Sequence, residues 1–131
     1  MADSEIKALS NYRLLQAKEN LDEATILFEN GKFKGASNRS YYAIFHAIKA
    51  ILALEQVDFK KHSSVIAYFN QKYISTEIFP KELGKSINSA RSYREKSDYV
   101  DFYIITKEDT QSQMDTAKEM IECAEKYIKE N

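Results

Sequence analysis

Turn-forming residues are scarce in this chain, which has three glycines and one proline among its 131 residues. A sheet protein needs a turn about every 8–12 residues, and glycine and proline form most of those turns. Apolar residues instead recur every three or four positions, which is the period of an α-helix. We therefore predict an all-α fold, an up-and-down bundle of four to five helices, in which residues 1–131 form a single domain.

The spacing of apolar residues predicts how the helices pack. The first and last helices carry stripes of the same three-four spacing, which indicates an antiparallel pair. The second helix is apolar almost all round, so we expect it to be central. The two stripes are Leu14, Leu21 and Phe28 in the first helix and Met114, Ile121 and Ile128 in the last.

Residues that begin or end helices divide the chain into five helical segments. Gly31 is typical of the residue after a helix, and Pro80 is typical of a helix start. Thr106 and Asp109 have the spacing of an N-terminal cap. Residues 98–106 are rich in large aromatic side chains and are predicted to form an ordered loop packed on the bundle, because a lone strand has no partner. The predicted helices run from residue 4 or 10 to 30, over 34–55, 62–74 and 81–97, and from Thr106 towards the C-terminus.

Composition limits the cellular compartment in which the protein can act and the kinds of ligand that it can bind. Apolar residues make up 44% of the chain and charged residues 30%, as in a soluble globular protein. No apolar run reaches the roughly 20 residues that span a bilayer, and no secretory signal is visible, so we expect a cytoplasmic protein without membrane contacts. Cys123 is the single cysteine, which excludes an internal disulfide and a cysteine-based zinc site. Because the net charge is −1, a nucleic acid would have to bind through a local basic patch.

The most informative pattern is a line of polar side chains on the second helix. Arg39, Tyr42, His46 and Lys49 are spaced by three, four and three residues and therefore share one side of the helix. An arginine can hold a phosphate and stabilise transition-state charge, and a histidine can move the proton of an attacking hydroxyl. We therefore predict Arg39 and His46 as a catalytic pair for phosphodiester chemistry, with Tyr42 and Lys49 as binding residues. Alternatively, Arg39 is tied to a carboxylate and His46 is a hydrogen-bonded core residue.

A second group of polar and aromatic residues lies at the end of the fourth helix. It consists of Arg91, Arg94, Asp98 and Tyr99. Arginines and aromatic rings can hold RNA or a nucleotide through phosphate contacts and base stacking. The alternative is an ion pair between Arg94 and Asp98, which are four residues apart on a helix.

A third group lies where the third helix begins. Lys60 and Lys61 form a basic pair there, and His62 and Ser63 follow. A basic pair at a helix N-terminus can bind an anion. The alternative is that His62 or Ser63 only caps the helix. No cofactor-binding pattern and no metal-ligand cluster accompanies these groups, so neither a cofactor nor a metal ion is predicted.

Three blocks of the sequence, in this order and spacing, resemble the HEPN domain (higher eukaryotes and prokaryotes nucleotide-binding). They are AKENLDEATILFENGKFKGASNRSYYAIFHAIKAIL, KKHSSVIAYF and RSYREKSDYVDF. The resemblance covers Tyr12 to Ile128 and points to the small stand-alone HEPN proteins of bacteria and archaea. It implies a bundle of four to five helices that forms a homodimer.

The resemblance also implies a function. Many HEPN proteins are metal-independent ribonucleases, often toxins whose antitoxin partner is a minimal nucleotidyltransferase. Catalysis in those proteins depends on an arginine and a histidine separated by four to six residues, and Arg39 and His46 match that spacing. The stretch that corresponds to the family's late-helix motif, Arg94–Tyr99, contains no histidine. The family tyrosine that the partner adenylylates has its nearest counterparts in Tyr99 and Tyr103.

These observations lead to three functional hypotheses. The first is a toxin-like component of a HEPN/nucleotidyltransferase toxin–antitoxin pair that acts on RNA as a metal-independent endoribonuclease. The second is a non-catalytic HEPN module that binds a nucleotide or the nucleotidyltransferase through a cleft lined by Arg39, Tyr42, Arg94 and Tyr99. The third, from another class, is a purely structural helical adaptor.

Overall fold

The computed structural model describes residues 2–131, which form five α-helices and one short π-helix and contain no strand. The predicted all-α bundle is therefore confirmed. The predicted third helix changes from α to π geometry at residue 70, and the fourth extends two residues beyond the predicted 97. The helices are α1 (Asp3–Glu29), α2 (Phe33–Leu54), α3 (His62–Phe69), α4 (Lys81–Tyr99) and α5 (Lys107–Glu130), and the π-helix is Asn70–Ile74. No helix within residues 2–131 combines the length and the apolar character needed to cross a bilayer.

Helix α2 is central, as predicted, and it contacts each of the other four α-helices. Helices α1 and α5 lie beside it as an antiparallel pair. Lys18, near the middle of α1, forms an ion pair of 2.9 Å with Glu125 near the end of α5. At the other end, the ammonium group of Lys107 lies 5.8 Å from the centroid of the Phe28 ring. The matching stripes thus predicted the direction of both helices correctly.

At two helix ends, hydrogen bonds pair backbone groups that the helix itself leaves unpaired. Gly31 has a φ of +72°, and the amide of Lys32 donates to the carbonyl of Leu27 at 2.8 Å, which closes α1. The Thr106 hydroxyl accepts a hydrogen bond of 3.0 Å from the amide of Asp109 at the start of α5. Both predicted helix ends are confirmed.

A half-buried carboxylate holds the π-helix against the end of α2. Glu55 accepts hydrogen bonds from the ammonium of Lys72 and the hydroxyl of Tyr73, and a third, of 3.2 Å, from the hydroxyl of Tyr68. Burial by itself would raise the pKa of Glu55, but these hydrogen bonds outweigh it and hold that pKa below its ordinary value. The cluster joins the π-helix and α3, whose first residue is His62, to α2.

The connection between α4 and α5 differs from its prediction. Residues 98–106 are predicted to pack on the bundle, but Tyr99, Phe102 and Ile104 are 75%, 99% and 85% exposed. Because extended backbone alternates its side chains between two faces, Tyr103 and Ile105 turn toward the bundle while their neighbours face solvent. The packing prediction is therefore wrong for most of the large side chains in this segment.

Candidate functional site

The four polar residues predicted on α2 form its accessible edge. Within residues 39–53, Arg39, Tyr42, His46 and Lys49 are half-buried and every other residue is buried. The three-four spacing is the cause, since it places these side chains on one side of the helix, away from the core. We call these four residues the α2 edge.

Four side chains surround the ring of Tyr42, which belongs to the α2 edge. The guanidinium groups of Arg39 and Arg94 lie 5.2 and 5.7 Å from its centroid. The imidazole rings of His46 and His62 lie 6.1 and 5.9 Å from the same centroid. Cations are attracted to the electron-rich face of a phenol ring. One tyrosine therefore brings together side chains from α2, α3 and α4.

Arg39 keeps a positive charge that no carboxylate neutralises. Its Nε and Nη2 donate to Oδ1 of the adjacent Asn38 at 3.1 and 2.6 Å. Across residues 2–131, no Asp or Glu lies within ion-pair distance of its guanidinium. The alternative in which Arg39 is tied to a carboxylate is therefore wrong, and the group is available to an anion such as a phosphate.

Arg94 forms the ion pair that its spacing to Asp98 suggested. Its Nε lies 3.1 Å from the Asp98 carboxylate, and its side chain is 18% exposed. Its Nη2 donates to the hydroxyl of Tyr42 at 3.4 Å, and its guanidinium lies 4.9 Å from the centroid of the Tyr41 ring. The side chain thus orients Tyr42 and brings positive charge close to the α2 edge.

His46 is held in one orientation by Asn20 of α1. Its Nδ1 lies 2.8 Å from the Asn20 amide oxygen, and the Asn20 nitrogen donates to the Glu23 carboxylate at 3.2 Å. Because a carboxylate can only accept, the amide oxygen faces His46, so Nδ1 carries the proton and Nε2 keeps its lone pair. Burial, and next the charge of Lys49, lowers the pKa of His46 below its ordinary 6.5. At pH 7 the imidazole is neutral and suited to accept a proton at Nε2.

His62 joins the site from the first turn of α3. Its ring packs against Phe45 at an interplanar angle of 32° with a centroid distance of 4.0 Å, and its Nδ1 lies 3.4 Å from the hydroxyl of Tyr41. Burial, and next the charge of Arg94, lowers the pKa of His62. The N-cap position is occupied by Lys61, where no side-chain hydrogen bond caps the helix, so the alternative in which His62 or Ser63 only caps the helix is wrong.

Sequence reasoning also missed a charged cluster at the far end of the α2 edge. Arg13, from α1, lies 3.3 Å from a carboxylate oxygen of Asp58, and Lys49 lies 3.4 Å from the other. Arg13 is part of a polar pattern on α1 that carries no motif of its own. Only the antiparallel packing of α1 on α2 brings it to the site.

Of the remaining predicted residues of α4, Tyr99 lies on another surface and Arg91 is paired within its own helix. Arg91 forms an ion pair of 3.0 Å with Glu95. Tyr99 and Arg94 line an open groove of about 500 Å³, whose lining includes neither Arg39 nor Tyr42. Arg94 is thus the one predicted residue that touches both surfaces.

Tyr103 lies in a separate, mostly apolar groove of about 420 Å³ beside the turn between α1 and α2. Its side chain is half-buried. Of the two tyrosines predicted for modification, Tyr99 is therefore the more accessible, at 75% exposure.

The fold and the α2 edge define an all-α bundle whose central helix exposes an arginine and a histidine. The family model of the HEPN domain matches residues 10–127, and the chain belongs to the HEPN family. A UPF0332 protein of Thermotoga maritima is 32% identical over 127 residues, which cover 97% of this chain and 96% of the relative. A protein of Methanocaldococcus jannaschii named "Putative toxin" is 35% identical over 87% of this chain and 84% of its own length. A second protein of that name from the same organism is 29% identical over 86% of this chain and 77% of its own length.

Proposed function

We propose that this chain is the toxin-like component of a HEPN/nucleotidyltransferase toxin–antitoxin pair and that it cleaves RNA without a metal ion. The observation that carries the proposal is the α2 edge, where an arginine without a carboxylate partner and a neutral histidine contact the same tyrosine ring. The two relatives named as toxins support the toxin-like role. The antitoxin partner and the homodimer are part of the proposal through the family, with residues 1–131 acting as one domain.

In the proposed reaction, Nε2 of His46 removes the proton of a ribose 2′-hydroxyl. The 2′-oxygen attacks the adjacent phosphorus, a 2′,3′-cyclic phosphate forms, and the bond to the 5′-oxygen breaks. The leaving oxygen takes up the proton that His46 has gained. Arg39 stabilises the negative charge that develops on the phosphate oxygens, and Tyr42 offers a ring face to a base.

The test compares single substitutions on a folded-protein basis. His46→Ala should abolish cleavage of a labelled single-stranded RNA, because the proton acceptor is removed. Arg39→Gln should weaken cleavage strongly, whereas Lys18→Gln, which removes one positive charge on the α1–α5 face, should have no effect. Circular dichroism reports whether each variant is folded. Cleavage by His46→Ala in proportion to its folded fraction would contradict the catalytic role.

A second candidate function is a non-catalytic module that binds a nucleotide or the nucleotidyltransferase partner. The observation that favours it is the ion pair of Arg94 with Asp98, in the stretch Arg94–Tyr99 that lacks a histidine. In that case the wild-type protein should bind a labelled RNA or nucleotide and leave it intact, and Arg39→Gln should weaken that binding. Wild-type cleavage that His46→Ala abolishes would exclude this candidate.

A further inference from the structure

Two cations of the bundle share one carboxylate at the end of the α2 edge. Besides contacting Asp58 at 3.3 Å, Arg13 donates through Nη1 to the backbone carbonyl of Lys49 at 3.1 Å, which orients the guanidinium. The side chains of Arg13 and Lys49 are 14% and 22% exposed, whereas that of Asp58 is 51% exposed. The cations therefore belong to the packed bundle, and the anion is the exposed member of the cluster.

Asp58 lies on the connection between α2 and α3, outside any helix. Its backbone contact is local, since its carboxylate accepts a hydrogen bond of 2.8 Å from the amide of Phe59. Exposed ion pairs contribute little to stability in water. Another anion can therefore replace this carboxylate without disturbing the helices.

The arrangement of the two cations suits a phosphate group. One carboxylate oxygen of Asp58 contacts Arg13 and the other contacts Lys49, and the two non-bridging oxygens of a phosphodiester present the same pair of acceptors. Lys49 follows Arg39 by ten residues, about 15 Å along a helix. That distance exceeds the size of one phosphate, so a ligand that reaches both residues carries several phosphates.

An exposed ring beside the cluster indicates which kind of polyanion fits. Phe59 follows Asp58 directly, is 37% exposed and packs against Tyr68 with a centroid distance of 5.4 Å. Aromatic rings beside cationic grooves stack the bases of single strands, which a paired duplex cannot offer. The cluster thus combines phosphate-binding cations with a surface for an unpaired base.

We propose that Arg13 and Lys49 form a second phosphate subsite for single-stranded RNA, which Asp58 occupies in the free protein and vacates when RNA binds. The proposal rests on the function proposed above and extends it, since His46 then lies between two phosphate-binding positions, Arg39 and the Arg13–Lys49 pair. A strand bound along the α2 edge is held on both sides of the bond to be cleaved.

The test measures binding in the His46→Ala background, so that cleavage does not interfere. The probe is a fluorescein-labelled hexauridylate at low and moderate salt. Asp58→Asn should tighten binding about two- to fivefold, because the half-exposed carboxylate that competes for both cations is removed. Glu125→Gln is the matched control, because it also removes one negative charge from a surface ion pair, the one with Lys18. Its affinity for the probe should equal that of the background protein.

Arg13→Gln provides the second arm. It should weaken binding, and adding Asp58→Asn to Arg13→Gln should give a smaller gain than Asp58→Asn gives alone, because only Lys49 is then left to be freed. Equal affinities of Asp58→Asn and Glu125→Gln would overturn the subsite while leaving the proposed cleavage by His46 intact. Conversely, a wild-type protein that never cleaves RNA, together with the Asp58→Asn gain, would sink the catalytic proposal and support the subsite. Absence of any binding of the probe would overturn both.

Discussion

The imidazole rings of His46 and His62 share surroundings that favour the neutral form. Burial is the first cause of the lowered pKa for each, and the positive charge of Lys49 acts on both. Both rings also lie about 6 Å from the centroid of the Tyr42 ring, at 6.1 and 5.9 Å. Protonation of either ring in the folded protein therefore adds a positive charge where several already meet.

This arrangement makes stability depend on pH. A histidine in the unfolded chain titrates near 6.5, and the folded pKa of both residues is lower. As pH falls below about 6.5 the unfolded chain binds more protons than the folded one, so the free energy of unfolding should decrease. Urea unfolding from about pH 7.5 to pH 5 measures this slope.

The control for this prediction is the double variant His46→Gln/His62→Gln, which should have a flatter profile over the same range. Glu55 and Asp58 also have lowered pKa values in the folded protein, so their contribution is lost only at more acidic pH, below the range of the histidines. A wild-type profile as flat as that of the double variant would show that the surroundings of the two rings do not depress their pKa values.

At this scale the sequence predicted the residues that share a helix and missed those that meet across helices. Arg39, Tyr42 and His46 were found because a three-four spacing is a local property of one helix. For His62 the sequence suggested a role in capping α3, and for Arg13 no local pattern suggested any role. Both reach the site through the packing of α3 and α1 on α2, which no local spacing encodes.

Helices α2 and α4 each contain a glycine in their first turn, and the two glycines have different neighbours. A Cβ atom on Gly35 would lie 3.1 Å from Cδ1 of Leu27, the flexible end of a half-buried side chain. A Cβ atom on Gly84 would lie 2.7 Å from Cγ2 of Ile74, a buried β-branched residue of the π-helix. The close approach of α4 to the π-helix therefore requires glycine at position 84.

Alanine substitutions should separate these two environments. Gly35→Ala should leave stability unchanged or raise it by up to about 1 kcal/mol, because alanine favours the helix. Gly84→Ala should lower stability by about 1–3 kcal/mol, because the overpacking outweighs the same helix preference. Thermal and urea unfolding measure both changes.

A double variant tests the stated contact. Leucine has no methyl branch on Cβ, so Ile74→Leu removes the Cγ2 atom that a new Cβ at position 84 would strike. Gly84→Ala combined with Ile74→Leu should cost less than the sum of the two single changes. Additive costs would mean that the loss at position 84 has another origin.

At the scale of elements, stripes and caps were enough to predict five helices and most of their ends. The π-helix was not predictable from the same signals. It depends on Glu55 accepting hydrogen bonds from Tyr68, Lys72 and Tyr73, and on the absence of a side chain at Gly84. The hydrogen bonds form, and the small size of Gly84 matters, only once α2, α3 and α4 are packed together.

For the whole molecule, the connection between α4 and α5 is the main departure from what the sequence suggested. Its aromatic and β-branched residues are typical of buried structure, yet Phe102 is 99% exposed and has a φ of +62°. Composition predicts burial only when the backbone can turn a side chain inward. At Phe102 the backbone forms a turn with positive φ, and the side chain faces solvent.

The exposed Phe102 makes the chain susceptible to proteolytic cleavage. Chymotrypsin cleaves after large aromatic residues, and exposed loop tips are cut first, so brief digestion should divide the protein between residues 102 and 103. Mass spectrometry of the products identifies the cut, and Phe102→Ala should delay it. An initial cut elsewhere would contradict the expected order.

The two pieces should remain together after that cut. Helix α5 is held by buried contacts on α2 and α4, among them a hydrogen bond of 3.0 Å from the Gln113 side chain to the carbonyl of Ala90. Residues 1–102 and 103–131, made separately, should then assemble on mixing. The protein would become a split pair in which α5 is an exchangeable peptide. Chemical synthesis of that peptide could then introduce labels that ribosomal synthesis cannot.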